Sequence, residues 1–502
     1  MTLSHLLDGV RVSKLFAMQY GKHVLTHDII VRQVQYDSRL VQRGDLFVAI
    51  RGTAVDGHNF VQRAVEAGAV AVVMEDDAAV HDFFFLHTNV VKIVVPDSRS
   101  TLARMAANIF GHPSDHLRLI GVTGTNGKTT TTHLIKSVLE AAGETVGLIG
   151  TIRYMVGDKD LPSTHTTPES LELQGLLATM REHGCSSVVM EVSSHALAMK
   201  RVAGARFAAA VFTNLTQDHL DFHGSMEKYL QAKKALFDNL DASAVAVVNA
   251  NDPAGTSIVS GTSAARLSFG ANADVRASEV SMTMTGMSFQ LEWQDGSCPV
   301  RSSLTGRFNV ANILAASATG IALGVSPAHI TSGIAALQSV RGRFEQVVAP
   351  AGWVAVIDYA HTPDALEKCL LTIRDVMPSQ DQGRIITVFG CGGDRDRGKR
   401  PLMGKIASEL SDITIVTSDN PRREPPERII GDIMVGIEKR KEVHVQADRR
   451  EAIRVGLSMA RSGDTVLIAG KGHETYQVIG DVKDHLDDRE EVEAFLGGVQ
   501  SC

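Results

Sequence analysis

The sequence predicts an α/β protein of three domains, and three observations lead to this prediction. The chain has 502 residues, whereas single domains usually run to about 100–200 residues. Apolar segments of strand length alternate with segments of helical periodicity from Leu117 onward. The same alternation restarts after Arg343. Such alternation is typical of parallel sheets covered by helices.

We place the domains at residues 1–115, 116–345 and 346–502, with a division into two domains as the alternative. The segment Gly111–Ser114 contains glycine, proline and serine, which is typical of a linker. Strands of the first domain are predicted at Asp45–Ile50 and Ala69–Met74.

The central and C-terminal domains each contain a series of short apolar runs that predict buried parallel strands. In the central domain the predicted strands are Arg118–Val122, Thr145–Ile149, Ser187–Val192, Ala208–Thr213 and Ala244–Asn249, with a helix at Lys128–Ala141. In the C-terminal domain they are Val354–Ile357, Arg384–Phe389, Asp412–Thr417 and Thr465–Ala469, with helices at Asp364–Val376 and Arg449–Ala460. The C-terminal domain is therefore predicted to be Rossmann-like.

The composition is that of an ordinary soluble protein, with 44% hydrophobic and 21% charged residues. The net charge is −7 and the sequence pI is about 6.3. A protein that binds a nucleic-acid backbone normally carries a basic excess. We therefore expect no nucleic-acid partner, and anionic ligands must be held by local clusters of cations and backbone N–H groups.

The five cysteines form no C-x-x-C pair, so the sequence indicates neither a zinc site nor a disulfide framework. Reduced thiols are typical of a cytoplasmic protein. Residues Met1–Val10 lack the basic and apolar regions of a signal peptide. No apolar run reaches the roughly 18 residues of a membrane span. We expect a cytoplasmic location and no membrane span.

A glycine-rich turn follows the first strand of the central domain and precedes its first helix. Its residues are Gly124, Thr125, Asn126, Gly127, Lys128, Thr129 and Thr130. Glycines let backbone N–H groups surround phosphate oxygens, while a lysine can reach the terminal phosphates and a threonine hydroxyl can bind Mg²⁺. The spacing departs from the common P-loop because position 122 is valine. A P-loop, ATPase-like parallel-sheet domain is predicted, and a tight turn without a ligand is the alternative.

Two later strands of the central domain end in residues that can bind a metal. Glu191 ends the strand at Ser187–Val192, and His219 follows the strand at Ala208–Thr213. Side chains at the carboxyl ends of parallel strands point into the crevice where ligands bind. Both could serve Mg²⁺ beside the phosphates. A strand-end glutamate can also cap a helix or form a salt bridge.

The segment Tyr229–Phe237 has the periodicity of an amphipathic helix. By this pattern alone, Tyr229, Leu230 and Phe237 belong to the core, and Lys233 and Lys234 lie on a solvated face. The pattern gives no reason to select one lysine for chemistry.

Taken together and in order, the motifs of this chain resemble those of the Mur ligases, and the resemblance covers nearly the whole chain. The matching segments are Asp37–Arg39, Asp56–His58, Gly124–Thr130, Glu191–His195, Asp218–Asp221, Tyr229–Lys233, Gly306–Asn309, Asp358–His361, Gly390–Arg400, Asp419–Arg422 and Gly470–Glu474.

The resemblance implies an N-terminal domain that holds the uridine diphosphate end of a substrate and a central domain that binds ATP and the peptide end. The positions that match contacts to the uridine end are Ser38, Thr53, Ala54 and Val55. Those that match contacts to the peptide end are Thr166, Thr167, Ser193 and Arg201. Met199 and His165 fall where some relatives carry glutamine and asparagine, so these two contacts are not carried over.

The resemblance also implies a C-terminal domain that binds the incoming amino acid. The positions that match this pocket are Arg395, Asp419, Asn420, Pro421, Arg422, Gly470 and Glu474. Further contacts to the nucleotide are implied for Asn309, Arg343 and Asp358.

The resemblance gives Lys233 a different meaning from the helical pattern, because it matches a lysine that CO₂ converts to a carbamate. Two Mg²⁺ sites are implied, one held by Thr129 and Glu191 and the other by His219 and carbamylated Lys233. Together with Lys128, the residues Glu191, His219 and Lys233 are the implied catalytic groups.

The activity implied by the resemblance is that of an ATP-dependent, ADP-forming ligase of cell-wall peptidoglycan synthesis. Its expected substrates are UDP-N-acetylmuramoyl-L-alanyl-D-glutamate and meso-2,6-diaminopimelate, joined through an acyl phosphate by a monomeric enzyme. Arg422 favours diaminopimelate over lysine, since a guanidinium can bind the additional carboxylate with two parallel hydrogen bonds. Alternatively, Arg422 and Arg423 are solvated charges paired with Glu424.

Two other functions are weighed against this one. Folylpolyglutamate synthetase shares the ligase plan, but Asp37–Arg39 and Asp419–Arg422 disfavour it. A nucleotide-dependent switch would use the phosphate loop as a sensor, but it would not need a second α/β domain with ligand-like Arg395, Arg422 and Glu474.

Overall fold

The computed structural model describes residues 1–52, 55–163, 165–377, 383–438 and 442–499. The chain forms two compact units. The first comprises Met1–Ile120, Thr145–Ile149 and Met155–Ala208, and the second comprises Gly121–Glu144, Gly150–Tyr154 and Ala209–Cys502. The boundaries of the three predicted domains stay a prediction.

The N-terminal part of the first unit contains a five-stranded sheet in the order β1-β7-β6-β5-β4. Its strands are parallel except β1, which runs antiparallel to β7. The elements are α1 (Leu3–Leu6), β1 (Lys14–Phe16), β2 (Met18–Gln19), β3 (Lys22–His23), β4 (Val34–Gln35), β5 (Leu46–Val48), α2 (Val61–Glu66), β6 (Ala71–Met74), α3 (Asp82–Thr88), β7 (Val91–Val94) and α4 (Ser98–Ile109), with 3₁₀ helices at Thr26–Asp28, Gly57–Phe60 and Pro113–Asp115.

Side chains of this sheet alternate between two apolar clusters. Leu46 and Val48 belong to one cluster, and Phe47 between them belongs to the other. Successive residues of a strand point to opposite faces, so the sheet is buried on both sides.

The middle part of the chain contributes strands to both units. The elements are β8 (Arg118–Thr123), α5 (Lys128–Ala141), β9 (Val146–Ile149), β10 (Tyr154–Val156), β11 (Lys159–Leu161), α6 (Ser170–Glu182), β12 (Ser187–Glu191), α7 (Ser194–Ala198), β13 (Ala209–Phe212), α8 (Leu220–His223), α9 (Met226–Asp238), β14 (Val245–Asn249), α10 (Gly255–Ile258), β15 (Ala265–Phe269), β16 (Arg276–Thr283), β17 (Gly286–Trp293), β18 (Gly296–Ser302), α11 (Arg307–Ala322) and α12 (Pro327–Ala336). In the first unit β12 pairs in parallel with β9. In the second unit β13, β14 and β15 form a parallel set.

An antiparallel sheet of β16, β17 and β18 lies in the second unit and was not predicted from the sequence. Strand β16 is mostly polar, and its residues are exposed or half-buried throughout. Without a run of apolar residues, hydrophobic periodicity gives no signal for this strand.

The C-terminal part of the second unit contains a six-stranded sheet in the order β19-β20-β24-β21-β22-β23. Only β19 is antiparallel to its neighbour among these strands, as expected for a Rossmann-like sheet with one added edge strand. The elements are β19 (Glu345–Val348), β20 (Val354–Asp358), α13 (Pro363–Val376), β21 (Ile385–Phe389), α14 (Lys399–Leu410), β22 (Ile413–Val416), α15 (Pro426–Met434), β23 (Glu442–Val445), α16 (Arg449–Met459), β24 (Thr465–Ala469), β25 (Tyr476–Ile479), β26 (Val482–His485) and α17 (Asp488–Val499).

The α/β class predicted from the sequence is confirmed, and all the predicted strands form to within two residues at each end. The helix predicted at Lys128–Ala141 has these bounds, and the one predicted at Asp364–Val376 begins one residue earlier. Thr362 caps that helix and Pro363 occupies its first turn. Proline is favourable there because the first N–H groups of a helix have no intrahelical partner.

A buried ion pair joins α16 to α17. The Arg449 guanidinium donates to both carboxylate oxygens of Asp488, at 2.8 and 2.7 Å, and to the carbonyl of Ala469 at 3.0 Å. Both charged side chains are fully buried. The pair therefore fixes the start of both helices.

We predict that Arg449→Ala lowers the free energy of unfolding by about 3–5 kcal/mol, because it leaves the Asp488 carboxylate buried without a counter-charge. Urea unfolding followed by Trp353 fluorescence in a Trp293→Phe background would measure this, since the Trp353 ring lies 6.4 Å from that of Phe495 in α17. The control is Arg423→Ala, which removes an exposed pair with Asp481. Equal effects from the two changes would contradict the prediction.

Candidate active site

The phosphate loop lies between β8 and α5 in a conformation that requires glycine. Gly124 has φ of +152° and Gly127 has φ of +86°. A Cβ atom on Gly124 would lie 1.9 Å from Oγ1 of Thr213 and 3.1 Å from backbone atoms of Asn214. The loop therefore lies too close to the end of β13 for any side chain at position 124.

The residues that follow β13 hold the loop in shape. The Asn214 carbonyl accepts the Thr125 N–H at 2.8 Å, and Oδ1 of Asn214 accepts the Asn126 N–H at 2.9 Å. Oγ1 of Thr213 and Nδ2 of Asn214 both donate to the Asn126 carbonyl, at 2.6 and 3.0 Å. The backbone of the predicted phosphate loop is thus preorganised by a second strand end.

The loop is also connected to the first turn of α13. Nδ2 of Asn126 donates to Oδ2 of Asp364 at 2.9 Å, and Oγ1 of Thr216 donates to the same oxygen at 3.3 Å. Lys368 pairs with this carboxylate from the next turn of the helix. Asp364 thereby links the phosphate loop to the C-terminal sheet's first helix.

Two lysine side chains meet at the carbonyl oxygen of Gly124. Nζ of Lys128 donates to it at 2.9 Å, and also to the Thr125 carbonyl at 2.8 Å. Nζ of Lys233, which comes from α9, donates to the Gly124 oxygen at 2.8 Å. The structure therefore brings together two of the four predicted catalytic residues.

Lys233 is fully buried, contrary to the solvated face that the helical pattern alone favours. Its Nζ lies 4.4 Å from the centre of the Tyr229 ring. Burial, reinforced by the nearby charge of Lys128, holds the pKa of the Lys233 amine well below its ordinary value. By contrast, Lys234 pairs with Asp238 and is partly exposed.

Three lysine side chains are less than 2% exposed in the described part of the chain, and Lys233 differs from the other two. Lys92 forms ion pairs with Asp77 and Asp82, and Lys471 forms one with Glu474. Lys233 forms no ion pair with any described residue. A buried ammonium without a counter-charge is unfavourable, so the neutral amine is the preferred state.

His219 precedes α8 in the left-handed conformation, with φ of +53°. Burial, aided by the charge of Lys128, lowers the pKa of His219 to about 4. Its Nε2 lies 3.3 Å from Oδ2 of Asp218. Burial raises the pKa of Asp218, but the charge of Lys128 and the contacts with His219, including its backbone N–H, outweigh this effect and hold the pKa below its ordinary value. A neutral imidazole thus lies beside an ionised carboxylate.

Thr129, the first residue after Lys128, is held by a residue from the end of the central region. Nη2 of Arg343 donates to Oγ1 of Thr129 at 3.1 Å, and its guanidinium carbon lies 4.6 Å from the centre of the Tyr359 ring. Asp358 accepts the Phe344 N–H at 2.6 Å. The first of these contacts joins Arg343 to the phosphate loop, and its predicted role as a nucleotide contact stays a prediction.

Asn309, a further predicted nucleotide contact, is buried in α11. Its Nδ2 donates to the Thr305 carbonyl at 2.8 Å, and its Oδ1 accepts from Nδ2 of Asn312 at 2.9 Å. Both ends of the amide are therefore engaged within the protein. Thr130 is buried at the start of α5.

In the first unit, the residues predicted to contact the peptide end form one cluster at the end of β12. Oγ1 of Thr167 donates to the Glu191 carbonyl at 2.8 Å and accepts the Ser193 N–H at 3.0 Å. Nη1 of Arg201 donates to the Thr167 carbonyl at 3.1 Å. Thr166 is half-buried next to this cluster.

The Glu191 side chain is buried at the end of its strand. Its predicted role beside Thr129 as a magnesium ligand stays a prediction. Of the residues predicted at the uridine end, Ser38 is buried and Val55 is exposed. Thr53 and Ala54 lie outside the described residues.

In the C-terminal sheet, the residues predicted to bind the amino acid follow β22 and β24. Nδ2 of Asn420 donates to Oε2 of Glu474 at 2.8 Å. Gly470 has φ of +116°, and a Cβ there would lie 2.5 Å from Oδ2 of Asp419. Pro421, which precedes Arg422 in the chain, is buried. The residues after β22 and β24, which lie on either side of β21 in the sheet, thus form one polar cluster.

Arg422 and Arg395 both approach Gly392. A Cβ on Gly392 would lie 2.9 Å from Nη1 of Arg422 and 3.8 Å from Cγ of Arg395. Nη1 of Arg422 donates to the Gly393 carbonyl at 2.8 Å, and Arg395 is exposed. Among the described residues Arg422 has no ion-pair partner. Two guanidinium groups therefore border the cluster.

The alternative in which Glu424 pairs with Arg422 and Arg423 is wrong. The Glu424 carboxylate instead pairs with Arg400 and Arg397, and the hydrogen bonds from Arg400 lower its pKa to about 2. Arg423 pairs with Asp481. Of the two loop arginines, Arg422 therefore has no ion-pair partner among the described residues, whereas Arg423 has one.

The structure gives three residues a role that sequence reasoning did not give them. Asn214 shapes the phosphate loop, Asp364 joins it to α13, and Lys471 lies inside the C-terminal cluster. Lys471 lies in the segment Gly470–Glu474, which matches a Mur ligase motif, so the sequence did draw attention to this position. Asn214 follows a predicted strand and was a possible magnesium ligand rather than a support of the loop, and Asp364 gave no signal, because its partners are distant in sequence.

Known proteins resemble this chain over nearly its whole length. Family profiles match it at residues 30–110, described as the Mur ligase family catalytic domain, at 122–320, described as the Mur ligase middle domain, and at 342–472, described as the Mur ligase glutamate ligase domain. A UDP-N-acetylmuramoyl-L-alanyl-D-glutamate--2,6-diaminopimelate ligase of Geobacter metallireducens is 47% identical, over 93% of this chain and 94% of that protein. The chain belongs to the Mur ligase family.

Other Mur ligases give the same result. A protein of Gloeobacter violaceus with the same name is 48% identical over 93% of this chain and 94% of its own length. A solved structure of a UDP-N-acetylmuramoyl-L-alanyl-D-glutamate--2,6-diaminopimelate ligase is 32% identical, with a TM-score of 0.69, and covers 100% of this chain and 99% of that one. The predicted fold and family are thereby confirmed.

The fold extends beyond the Mur ligases. The folylpolyglutamate synthase of Mycobacterium tuberculosis, solved as a complex with ADP, is 18% identical with a TM-score of 0.62. It covers 74% of this chain and 92% of that one. This likeness is one of fold alone. It explains why folylpolyglutamate synthetase was an alternative on the basis of the sequence motifs.

We predict that Gly124→Ala lowers the affinity for ATP by at least about tenfold, because the added methyl group displaces the loop whose N–H groups bind phosphate. Titration with a fluorescent ATP analogue would measure the affinity. The matched control is Gly143→Ala after the other end of α5, where φ is also positive, at +89°, but where no atom lies within 4 Å of the new Cβ. If both variants bind ATP like the parent, the loop is not the phosphate site.

Proposed function

We propose that this chain is the ATP-dependent ligase that joins meso-2,6-diaminopimelate to UDP-N-acetylmuramoyl-L-alanyl-D-glutamate in peptidoglycan synthesis. The observation that carries the proposal is the full-length similarity to ligases of that name, joined to a phosphate loop and a charged C-terminal cluster in one chain. The reaction forms an amide and converts ATP to ADP and phosphate.

The first step transfers the γ-phosphoryl group of ATP to the substrate's free carboxylate and forms an acyl phosphate. Two anions approach each other in this step, so the site must supply positive charge. Lys128 and the N–H groups at the start of α5 supply it at the phosphate loop. In the second step the amine of diaminopimelate attacks the acyl carbon, and phosphate leaves.

The residues of the second unit fit Mg²⁺. Among the described residues no group of three or more histidines, cysteines, aspartates and glutamates forms a metal site. Mg²⁺ usually takes one or two protein ligands and completes its shell with phosphates and water. The Thr129 hydroxyl is a suitable ligand for one Mg²⁺, with Glu191 as its proposed companion, and the neutral imidazole of His219 is a suitable ligand for the other. When bound, Mg²⁺ neutralises charge on the transferring phosphoryl group.

Lys233 is proposed to carry a carbamate formed from its amine and CO₂, with release of a proton. The neutral amine that this reaction requires is the state favoured by its burial and by the nearby Lys128. The carbamate would place a negative charge beside Lys128, where the unmodified side chain places a neutral amine. It would thus complete the ligand set around His219.

The C-terminal cluster is proposed to bind the end of diaminopimelate that does not react. This end carries both a carboxylate and an ammonium group. Arg422 and Arg395 offer guanidinium groups to the carboxylate, and the Glu474 carboxylate can accept from the ammonium. Lysine lacks that carboxylate and would leave the arginines without a partner.

The remaining sites follow the same proposal. The uridine diphosphate end would bind the N-terminal sheet near Ser38, and the peptide end would contact Thr167, Ser193 and Arg201. Among the described residues no helix is both long and apolar enough to cross a membrane. A cytoplasmic location and a monomeric state are part of the proposal.

The competing function is a nucleotide-dependent switch without ligase activity. The deciding experiment measures phosphate release from ATP with the UDP-linked dipeptide and diaminopimelate, each alone and together, and identifies the product by mass spectrometry. A ligase releases phosphate only with both and yields the UDP-linked tripeptide. Release that depends on neither substrate would favour the switch.

We predict that Lys233→Ala lowers kcat for ligation by about a hundredfold or more, because it removes the carbamate and its charge. Added short-chain carboxylates or bicarbonate should restore part of the activity in this variant. Lys234→Ala on the same helix is the control and should retain activity. An equal loss in both variants, with no restoration, would exclude the carbamate.

We predict that Arg422→Ala lowers kcat/KM for diaminopimelate by about ten- to a hundredfold, the worth of a charged hydrogen bond. Use of lysine should change little, since lysine offers Arg422 no carboxylate. Arg422→Lys should recover only part of the preference, because an ammonium cannot form two parallel bonds. Competition between the two amino acids in one assay measures the preference.

The matched control is Arg423→Ala, which removes the neighbouring exposed arginine and should leave the preference unchanged. A parent enzyme that prefers lysine, or an Arg422→Ala variant with an intact preference for diaminopimelate, would show that Arg422 does not select the substrate.

A further inference from the structure

Lys471 is fully buried in the turn after β24, inside the cluster proposed to bind the amino acid. Its Nζ donates to Oδ1 of Asn420 at 3.2 Å and to Oε2 of Glu474 at 3.1 Å. Nδ2 of Asn420 donates to the same Oε2 at 2.8 Å. The three side chains therefore form a closed ring of hydrogen bonds.

This ring uses only one of the two carboxylate oxygens of Glu474. Oε2 accepts from both Lys471 and Asn420, whereas Oε1 accepts no hydrogen bond from any described residue. The Glu474 side chain is 16% exposed. The ring thus leaves one oxygen available to a ligand and fixes the direction in which it points.

Asn420 is itself held by the backbone. Its Oδ1 also accepts the Val478 N–H of β25 at 2.9 Å. The Lys471 ammonium further lies 5.6 Å from the centre of the Tyr476 ring in the same strand. The orientation of Glu474 is therefore set by Asn420 and Lys471, whose side chains are both buried.

Charge explains why a lysine occupies this position. A buried ammonium needs a counter-charge, and Glu474 is the one carboxylate that pairs with Lys471 among the described residues. An uncharged side chain at position 471 would release Oε2, and the carboxylate could then turn away from the pocket. Asn420 alone offers it one hydrogen bond.

We propose that Lys471 is a positioning residue for the incoming amino acid, which holds Glu474 so that Oε1 accepts a hydrogen bond from the distal ammonium group of diaminopimelate. This inference rests on the proposed function and extends it to a residue that does not touch the substrate. By this proposal, the preference for an amino acid with a distal ammonium group, over one that lacks it, depends on the buried Lys471.

The test compares diaminopimelate with L-2-aminopimelate, which has the reacting amine and the distal carboxylate but lacks the distal amine. The parent should prefer diaminopimelate by about ten- to a hundredfold in kcat/KM, the worth of one charged hydrogen bond. Lys471→Met, which keeps the length of the side chain without its charge, should use the two compounds about equally. The KM values for ATP and for the UDP-linked dipeptide should stay at their parent values.

A purely structural role would lower the use of both compounds alike and leave their ratio unchanged, and this outcome would overturn the proposal. The matched control is Lys483→Met. Lys483 is an exposed lysine whose Nζ lies 4.4 Å from the centre of the same Tyr476 ring. This variant should retain the preference of the parent. Equal loss of preference in both variants would also overturn the proposal.

If Lys471→Met does not yield folded protein, Lys471→Arg serves in its place. The longer side chain keeps the charge but displaces Glu474, so the preference should fall, and an unchanged preference would overturn the proposal. A parent enzyme that ligates neither compound would refute the proposed function itself. A parent that ligates diaminopimelate while the variants keep its preference would refute only the role of Lys471.

Discussion

The carbonyl oxygen of Gly124 accepts hydrogen bonds from Lys128 and Lys233, and the rest of the second unit's site is arranged around this meeting point. Two ammonium groups at one oxygen repel each other, and burial adds to the cost. One way to relieve both is to neutralise or reverse the charge of the more deeply buried group. Lys233 is that group, since its amine has no ion-pair partner among the described residues.

Charge balance distinguishes the two lysine-containing clusters of the second unit. The Lys233 amine has no counter-charge among the described residues, so this position is suited to acquire a negative group and to act with Mg²⁺. The Lys471 ammonium forms an ion pair with Glu474, so this position is suited to hold a carboxylate in one orientation. In the proposed function, the same residue type thus serves catalysis in α9 and recognition after β24, according to the presence of a neighbouring carboxylate.

Preorganisation extends to the phosphate loop. Its backbone is fixed by Thr213 and Asn214 and joined to α13 through Asp364. A loop that is already held in one conformation needs little reorganisation when a nucleotide binds, which is a condition for strong electrostatic stabilisation. The link to Asp364 makes the position of α13 part of the same arrangement.

Much of the fold could be predicted from the sequence, because it rests on local patterns. The apolar runs predicted the parallel strands of β8, β12 and β24, and the segment Gly124–Thr130 predicted the glycine-rich turn between β8 and α5. The sheet of β16, β17 and β18 could not be predicted, because polar residues dominate its edge strand.

For the site, the sequence by itself determined which residues are available and in what order they follow the strands. Only the tertiary structure decided which of them are buried and what they contact. The helical pattern around Lys233 indicates a solvated face, yet its partner, Gly124, lies 109 residues away in the chain. Likewise the partner of Asn126 is Asp364, which lies 238 residues away. Burial and the pKa depend on such distant contacts, and periodicity over a few turns of helix contains no information about them.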